Sequence, residues 1–237
     1  MSKTFLQAEW RKLAMANYIV EPELLKRYLP YNTELDLWNG NCYISLVGFM
    51  FLNTKILGFK IPFHINFEEV NLRFYVRYND DGNWKRGVVF IKEIVPKPAL
   101  TLVANTVYNE NYEIMPMRHH WSVEANGQIV SYQWKKAGKW NTFEVITEPQ
   151  STPIEEGSLE AFITEHYWGY TQIAANKTSE YGVEHPIWQV YKMKNYSINV
   201  DFGSVYGNDF ELLNFMNPES VFLAEGSLIE VKTGRKI

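Results

Sequence analysis

Hydrophobic and polar residues alternate along the segment FEEVNLRFYVRYNDDGNWKRGVVFIKEIV at 67–95, as is typical of half-buried β-strands. Successive strand side chains point to opposite faces, so the first half of the segment has two chemically different faces. The apolar face carries Val70, Leu72, Phe74 and Val76. The polar face carries Glu69, Asn71, Arg73, Tyr75 and Arg77. The turn NDDGN separates this strand from a second one, which predicts a hairpin with one polar row.

Further strands are predicted on both sides of this hairpin. Residues 42–52 are apolar on both faces, which favours a central strand covered on both sides. Strand patterns follow at 99–108 and in the segment 121–148, where Asn126-Gly127 and Ala137-Gly138 are turn signals. In that meander we expect Trp134 and Trp140 to face each other across a hairpin. Two more strands are predicted at 185–202 and 221–234.

Two short helices are predicted among the strands. Residues 20–30 have apolar side chains at helical spacing, with Pro22 in the first turn and Pro30 at the end. A helix of about three turns is predicted with Ser158 as its N-cap. The chain has no repeat, low-complexity tract or long linker. These features predict a β-rich α+β fold in which residues 1–237 form a single domain.

Charge and composition exclude several classes of protein. The net charge is −4 and the basic residues are scattered, so nucleic acid is not expected as a partner. The charged N-terminal segment is unlike a signal peptide, and no run reaches the roughly 20 apolar residues of a membrane span. Cys42 is the only cysteine, which excludes an intrachain disulfide, and its apolar flanks favour a buried structural role. A cytoplasmic location without membrane association is expected.

Common cofactor and metal motifs are absent from the sequence. The five histidines form neither an HxH nor an HExxH pattern, so no metal site is expected. The phosphate-binding patterns GxGxxG and GxxxxGK[ST] are missing, as is the GxSxG motif of serine hydrolases. We therefore expect no cofactor.

Several segments in fixed order resemble those of one protein family. They are NY at 17–18, PELLKRYLP at 22–30, ELDLWNGNCYISLVGFMF at 34–51, FEEVNLRFYV at 67–76, RGVVF at 86–90 and EYGVEHPIW at 180–188. Together they resemble the DUF2071 (YqjF-like) proteins over nearly the whole chain. Through these proteins the chain is distantly similar to the acetoacetate decarboxylase-like superfamily. That resemblance implies a closed β-cone or barrel with a few flanking helices and an internal pocket.

The resemblance to the decarboxylases fails at the catalytic lysines. Glu69 matches their strand carboxylate, and Pro96–Leu100 resembles the step that precedes their Schiff-base lysine pair. Tyr112 and Glu113 stand where the two lysines are expected, so no acetoacetate decarboxylase activity is predicted. Imine chemistry requires a buried, uncharged amine, and Lys92 is the single candidate on an apolar strand face. An edge lysine, or one that reaches outward to solvent, is the favoured interpretation of Lys92.

In the resembled fold the strand of Glu69 lines the cavity, which would turn its polar face inward. Glu69 and His185 are then the candidate proton-transfer groups. The candidate substrate-binding residues are Asn71, Arg73, Tyr75, Tyr112 and Tyr18. Alternatively, the polar row is a solvated surface or a fully satisfied interior network, and His185 is a hydrogen-bonded structural residue. Burial distinguishes these interpretations, because a buried charge needs a partner or a shifted pKa.

Two hypotheses about function remain open. The first is an enzyme that acts on a small organic or keto acid by acid/base chemistry, without the Schiff-base lysine pair. The second is a non-catalytic small-molecule binding or scaffold protein that uses the same cavity, because one fold serves many functions. The candidate partner is a small organic acid ligand, which the first hypothesis requires and a scaffold does not. A monomer and a homodimer are both compatible with the sequence.

Overall fold

The computed structural model describes residues 3–97, 111–124 and 127–237, so the strand predicted at 99–108 and Asn126 of the predicted turn lie outside the described residues. The described strands are β1 (Thr4–Val20), β2 (Thr33–Leu35), β3 (Cys42–Ile56), β4 (Phe67–Asp80), β5 (Asn83–Val95), β6 (Tyr112–Ile114), β7 (Met117–Glu124), β8 (Gly127–Lys136), β9 (Lys139–Pro153), β10 (Trp168–Ala174), β11 (Lys177–Glu184), β12 (Gln189–Asn199), β13 (Ser220–Lys232) and β14 (Arg235–Lys236). The described helices are α1 (Pro22–Lys26), α2 (Leu159–Thr164), α3 (Phe202–Tyr206) and a 3-10 helix (Asn208–Phe215). None of these helices is long and apolar enough to cross a membrane.

Seven strands close into a ring in the order β13-β1-β3-β4-β5-β10-β11, and pairing of β11 with β13 completes it. The pairs are antiparallel except for β5 with β10. The sheet continues from β13 through β12, β9, β8 and β7. The result is a β-rich fold with few helices, as predicted, although the ring is not a regular barrel.

Two apolar cores lie on opposite faces of the ring strands. The outer core packs one face against β8, β9 and α3, and it includes Leu72, Phe74, Tyr132, Phe143 and Phe202. The inner core fills the inside of the ring, and it includes Leu13, Phe49, Phe67, Val88 and Trp188. Strand alternation therefore decides which core each residue of β4 joins.

Glycine makes the parallel contact between β5 and β10 possible. Gly87 pairs with Trp168, and a Cβ at Gly87 would lie 2.5 Å from the carbonyl oxygen of Trp168. Gly226 lies where β13 crosses a bulge in β1, and a Cβ there would lie 2.0 Å from the Trp10 carbonyl oxygen. Both glycines allow neighbouring backbones to approach more closely than a larger residue permits.

Several predicted elements are confirmed, with changes in length. The segment at 42–52 is the buried part of β3, and Cys42 is itself buried, which raises the pKa of its thiol to about 11. The Ser158 hydroxyl accepts a hydrogen bond from the amide of Ala161, 3.2 Å away, so it caps α2 as predicted. This helix has six residues rather than three turns because β10 begins at Trp168.

Other predictions about the elements were incomplete or wrong. The long first strand, β1, was not predicted, and α1 ends at Lys26 rather than near Pro30. Trp134 and Trp140 do not face each other, because Trp134 pairs with Asn141 and Trp140 pairs with Lys135. Trp134 is fully buried, whereas Trp140 is exposed on the opposite face of the hairpin.

Candidate functional site

A cavity of about 110 Å³ lies inside the ring. One water molecule needs only about 10–15 Å³ of such space, so the cavity is large enough for a small organic molecule. Its polar wall comes from Glu69, Asn71 and Arg73 on β4. The rest is largely aromatic and aliphatic, and includes Trp10, Phe49, Phe51, Phe67, Phe90 and Trp188. An apolar cavity with a few convergent polar groups is the usual form of a small-molecule site.

Glu69 is buried at the side of this cavity, with only 2% of its surface exposed. Its Oε1 accepts a hydrogen bond from the Asn71 side chain at 3.0 Å, and its Oε2 accepts one from the Tyr112 hydroxyl at 3.4 Å. Burial raises the pKa of Glu69 well above the ordinary value, and these two bonds and the charge of Arg73 only partly oppose that effect. Glu69 therefore keeps its proton at a higher pH than an exposed carboxyl group does.

Arg73 is a buried cation in the same wall, with 7% of its surface exposed. Within the described part of the chain its Nε has no hydrogen-bond partner, and no carboxylate forms a salt bridge with the guanidinium. The guanidinium carbon lies 5.9 Å from the centroid of the Tyr75 ring. A buried charge without a partner is costly, so this guanidinium is well suited to receive an anion.

His185 reaches the cavity from the segment after β11. Its ring stacks on Trp188, with centroids 4.2 Å apart, and its Nδ1 lies 2.9 Å from the Pro186 carbonyl oxygen. Burial chiefly, and the charge of Arg73 in addition, lower the pKa of His185 to about 4. The imidazole is therefore uncharged at neutral pH. The strand predicted at 185–202 begins only at Gln189, because residues 185–188 do not form a strand.

The three tyrosines proposed from the sequence have different positions. Tyr112 lines the cavity beside Glu69. Tyr75 is buried on the inward face of β4, where its hydroxyl lies 2.7 Å from the Ser45 hydroxyl. Tyr18 does not face the cavity, so its proposed role in substrate binding was wrong. It belongs to the outer core, where its ring lies against Phe202, because a bulge in β1 sets the alternation of that strand.

The structure adds two cavity residues that sequence reasoning missed. Glu93 lies across from Asn71 on β5 and is 2% exposed. His166 follows α2, and its Nε2 lies 3.1 Å from the Asp36 carboxylate. Burial lowers the pKa of His166 to about 4 despite this contact. The sequence pattern around these two residues does not reveal their positions. A bulge in β5 turns Glu93 inward, and His166 lies in the segment between α2 and β10, outside regular secondary structure.

Lys92 lies on the face of β5 that points away from the cavity. The register between β4 and β5 shifts between Leu72 and Arg73, so Lys92 pairs with Leu72 while Phe90 pairs with Arg73. The Lys92 amine donates hydrogen bonds to the Glu113 carboxylate at 2.7 Å and to the Val205 carbonyl at 2.6 Å. This charged, paired lysine is outside the candidate site, in agreement with the interpretation that favoured an outward position.

The described side chains offer no obvious metal centre, because nowhere do three or more histidine, cysteine or carboxylate groups converge. The cavity instead combines an acid with a raised pKa, an uncharged imidazole and a buried guanidinium. These groups suit an anionic organic ligand and proton transfer to or from it.

Comparison with known sequences identifies a family and a relative of this chain. The sequence profile of DUF2071, described as an uncharacterized conserved protein, matches residues 7–228. The uncharacterized protein YqjF of Bacillus subtilis is 30% identical over 187 residues, which cover 77% of this chain and 74% of YqjF.

Comparison with solved structures shows where the fold recurs. The enduracididine biosynthesis enzyme MppR, solved with pyruvate, superposes with a TM-score of 0.70 at 12% identity, covering 100% of this chain and 91% of MppR. Acetoacetate decarboxylase from Legionella pneumophila superposes with a TM-score of 0.68 at 10% identity, covering 98% of this chain and 87% of the enzyme. At these identities the likeness concerns the fold, which is that of the acetoacetate decarboxylase-like proteins. The profile match over nearly the whole chain and the similarity to YqjF show that this protein belongs to the DUF2071 family.

Proposed function

We propose that the protein binds a small organic acid, such as a 2-oxo acid, inside the ring and transfers protons to and from it. The single observation that carries this proposal is the buried Arg73 guanidinium beside the cavity, whose Nε has no described hydrogen-bond partner and which forms no salt bridge with a described carboxylate. A ligand carboxylate would supply the missing negative charge through paired N–H···O bonds. The pyruvate in the MppR structure supports this ligand class, because that protein has the same fold.

The proton-transfer roles follow from the opposite pKa shifts of two cavity residues. Glu69 holds its proton at a higher pH than an exposed carboxyl group, whereas His185 is uncharged. Glu69 is therefore the group that donates a proton to the carbonyl oxygen, and His185 is the base that accepts one from the adjacent carbon. The product of that step is the enol of the 2-oxo acid, with Glu69 ionised and His185 protonated. Once the proton on His185 has exchanged with solvent, reversal of the step returns a solvent proton to the carbon. Asn71 and Tyr112 orient Glu69 through their hydrogen bonds.

Binding is tested by titrating pyruvate into the wild-type protein and into Arg73→Met by calorimetry. We expect Arg73→Met to weaken binding at least about tenfold, because it removes the charge-assisted contacts to the carboxylate. Arg77→Met is the matched control, since Arg77 is on the same strand but is half exposed and paired with Glu34. Equal affinities of Arg73→Met and the wild type would contradict the proposed anchor.

Proton transfer is tested by following deuterium incorporation into the pyruvate methyl group by NMR in heavy water. The wild type should accelerate exchange above the rate in buffer, and Glu69→Gln should remove the acceleration while pyruvate still binds. Binding that depends on Arg73 without any exchange would instead identify a non-catalytic small-molecule binding protein.

A further inference from the structure

An aromatic wall, defined by Trp10, Phe49 and Trp188, lies beside two of the polar cavity residues, Glu69 and His185. Phe49 is the cross-strand partner of Glu69, and Trp188 stacks on His185. Trp10 joins the other two, with ring centroids 5.2 Å from Phe49 and 6.4 Å from Trp188. All three residues line the cavity.

Contacts hold this wall in place without filling the cavity. The Trp188 indole donates a hydrogen bond to the Ser227 hydroxyl at 2.9 Å, which fixes the orientation of the ring. Trp10 meets Phe49 and Trp188 in edge-to-face geometry, an arrangement that aromatic clusters prefer. The wall is therefore a preformed apolar surface within the same cavity as the guanidinium of Arg73.

The size of this apolar surface is mismatched with pyruvate. Beyond its carboxylate and ketone, pyruvate has a single methyl group, so it would leave most of the aromatic wall uncovered. Burying an additional ring against this wall would remove much more apolar area from water, and binding strengthens with that area.

We propose that the preferred ligand is a carboxylic acid that carries an aromatic ring, with its carboxylate on Arg73 and its ring against Trp10, Phe49 and Trp188. This inference rests on the proposed function, since it names the ligand class of the same site. The guanidinium holds the charged end of the ligand, while the aromatic wall selects the other end.

The test compares phenylpyruvate with pyruvate, which lacks only the ring, by calorimetric titration of the wild-type protein. We expect phenylpyruvate to bind at least about tenfold more tightly, because its ring is buried at the wall. Trp10→Leu should weaken the binding of phenylpyruvate much more than that of pyruvate, because only phenylpyruvate has a ring to place against Trp10. Trp140→Leu is the matched control, because Trp140 is exposed on a hairpin and is not part of the cavity wall.

The outcomes separate this inference from the proposed function. Equal affinities for the two acids, both lost in Arg73→Met, would overturn the aromatic ligand class and leave the carboxylate site standing. If neither acid binds, the proposed function fails and the inference fails with it. The comparison of the two acids on the wild-type protein tests the preference for an aromatic acid even if Trp10→Leu does not fold.

Discussion

The two faces of β4 bury different kinds of side chain, apolar on one face and charged or polar on the other. The outward face buries Val70, Leu72 and Phe74 in the outer core, where apolar contact alone satisfies them. The inward face buries Glu69 and Arg73 beside a cavity, where burial raises the free energy of their charged forms. The contrast shows that one strand supplies both packing energy and a polar cavity wall, separated only by the alternation of its side chains.

The largest effect is expected on the outward face. Phe74→Ala should lower the free energy of unfolding by about 3–5 kcal/mol, because Phe74 is fully buried and its truncation leaves a void in the outer core. Urea denaturation monitored by circular dichroism measures this loss. A loss under about 1 kcal/mol would mean that the outer core is loosely packed, and the contrast between the faces would disappear.

A substitution on the inward face, Glu69→Gln, is expected to increase the free energy of unfolding by a smaller amount. Burial raises the pKa of Glu69 in the folded protein above its value in the unfolded chain. The folded protein therefore binds more protons than the unfolded chain between these two pKa values. The free energy of unfolding consequently falls as the pH rises from the ordinary carboxyl range toward the raised pKa. Glu69→Gln cannot ionise and avoids this loss. It should therefore be more stable than the wild type by about 1–3 kcal/mol at pH 8.

Denaturation at several pH values tests the predicted direction of this pH dependence. The stability difference between Glu69→Gln and the wild type should shrink toward zero near pH 4, where both side chains are uncharged. A difference that does not change between pH 4 and pH 8 would show that folding leaves the pKa of Glu69 unchanged.

The smallest effect is expected at Lys92, which is on the other face of the sheet from Arg73. Lys92→Met should cost only about 1 kcal/mol, because Glu113 is partly exposed and retains a salt bridge with Lys136. Pyruvate affinity should be unchanged. Borohydride reduction with pyruvate should leave the intact mass of the wild-type protein unchanged, and an adduct that Lys92→Met abolished would move the reactive site to this lysine.

The sequence by itself determined the strand pattern and much of the polar row. Strict alternation in β4 was enough to place Glu69, Asn71 and Arg73 on one face, because side-chain direction along a strand is a local property. The distant similarity to the acetoacetate decarboxylase-like superfamily then indicated that this face turns inward. The same local rules predicted the buried strand β3 and the Ser158 cap of α2.

Only the tertiary structure decided which distant groups meet the polar row. Bulges in β1 and β5 reverse the facing of later residues. Tyr18 therefore lies in the outer core, Lys92 points to the outer face of the sheet, and Glu93 lines the cavity. Ring closure brings His185 toward Arg73 from more than 100 positions along the chain. A one-residue shift reverses every following side chain, and pairing between distant strands leaves no local pattern, so neither feature can be derived from alternation alone.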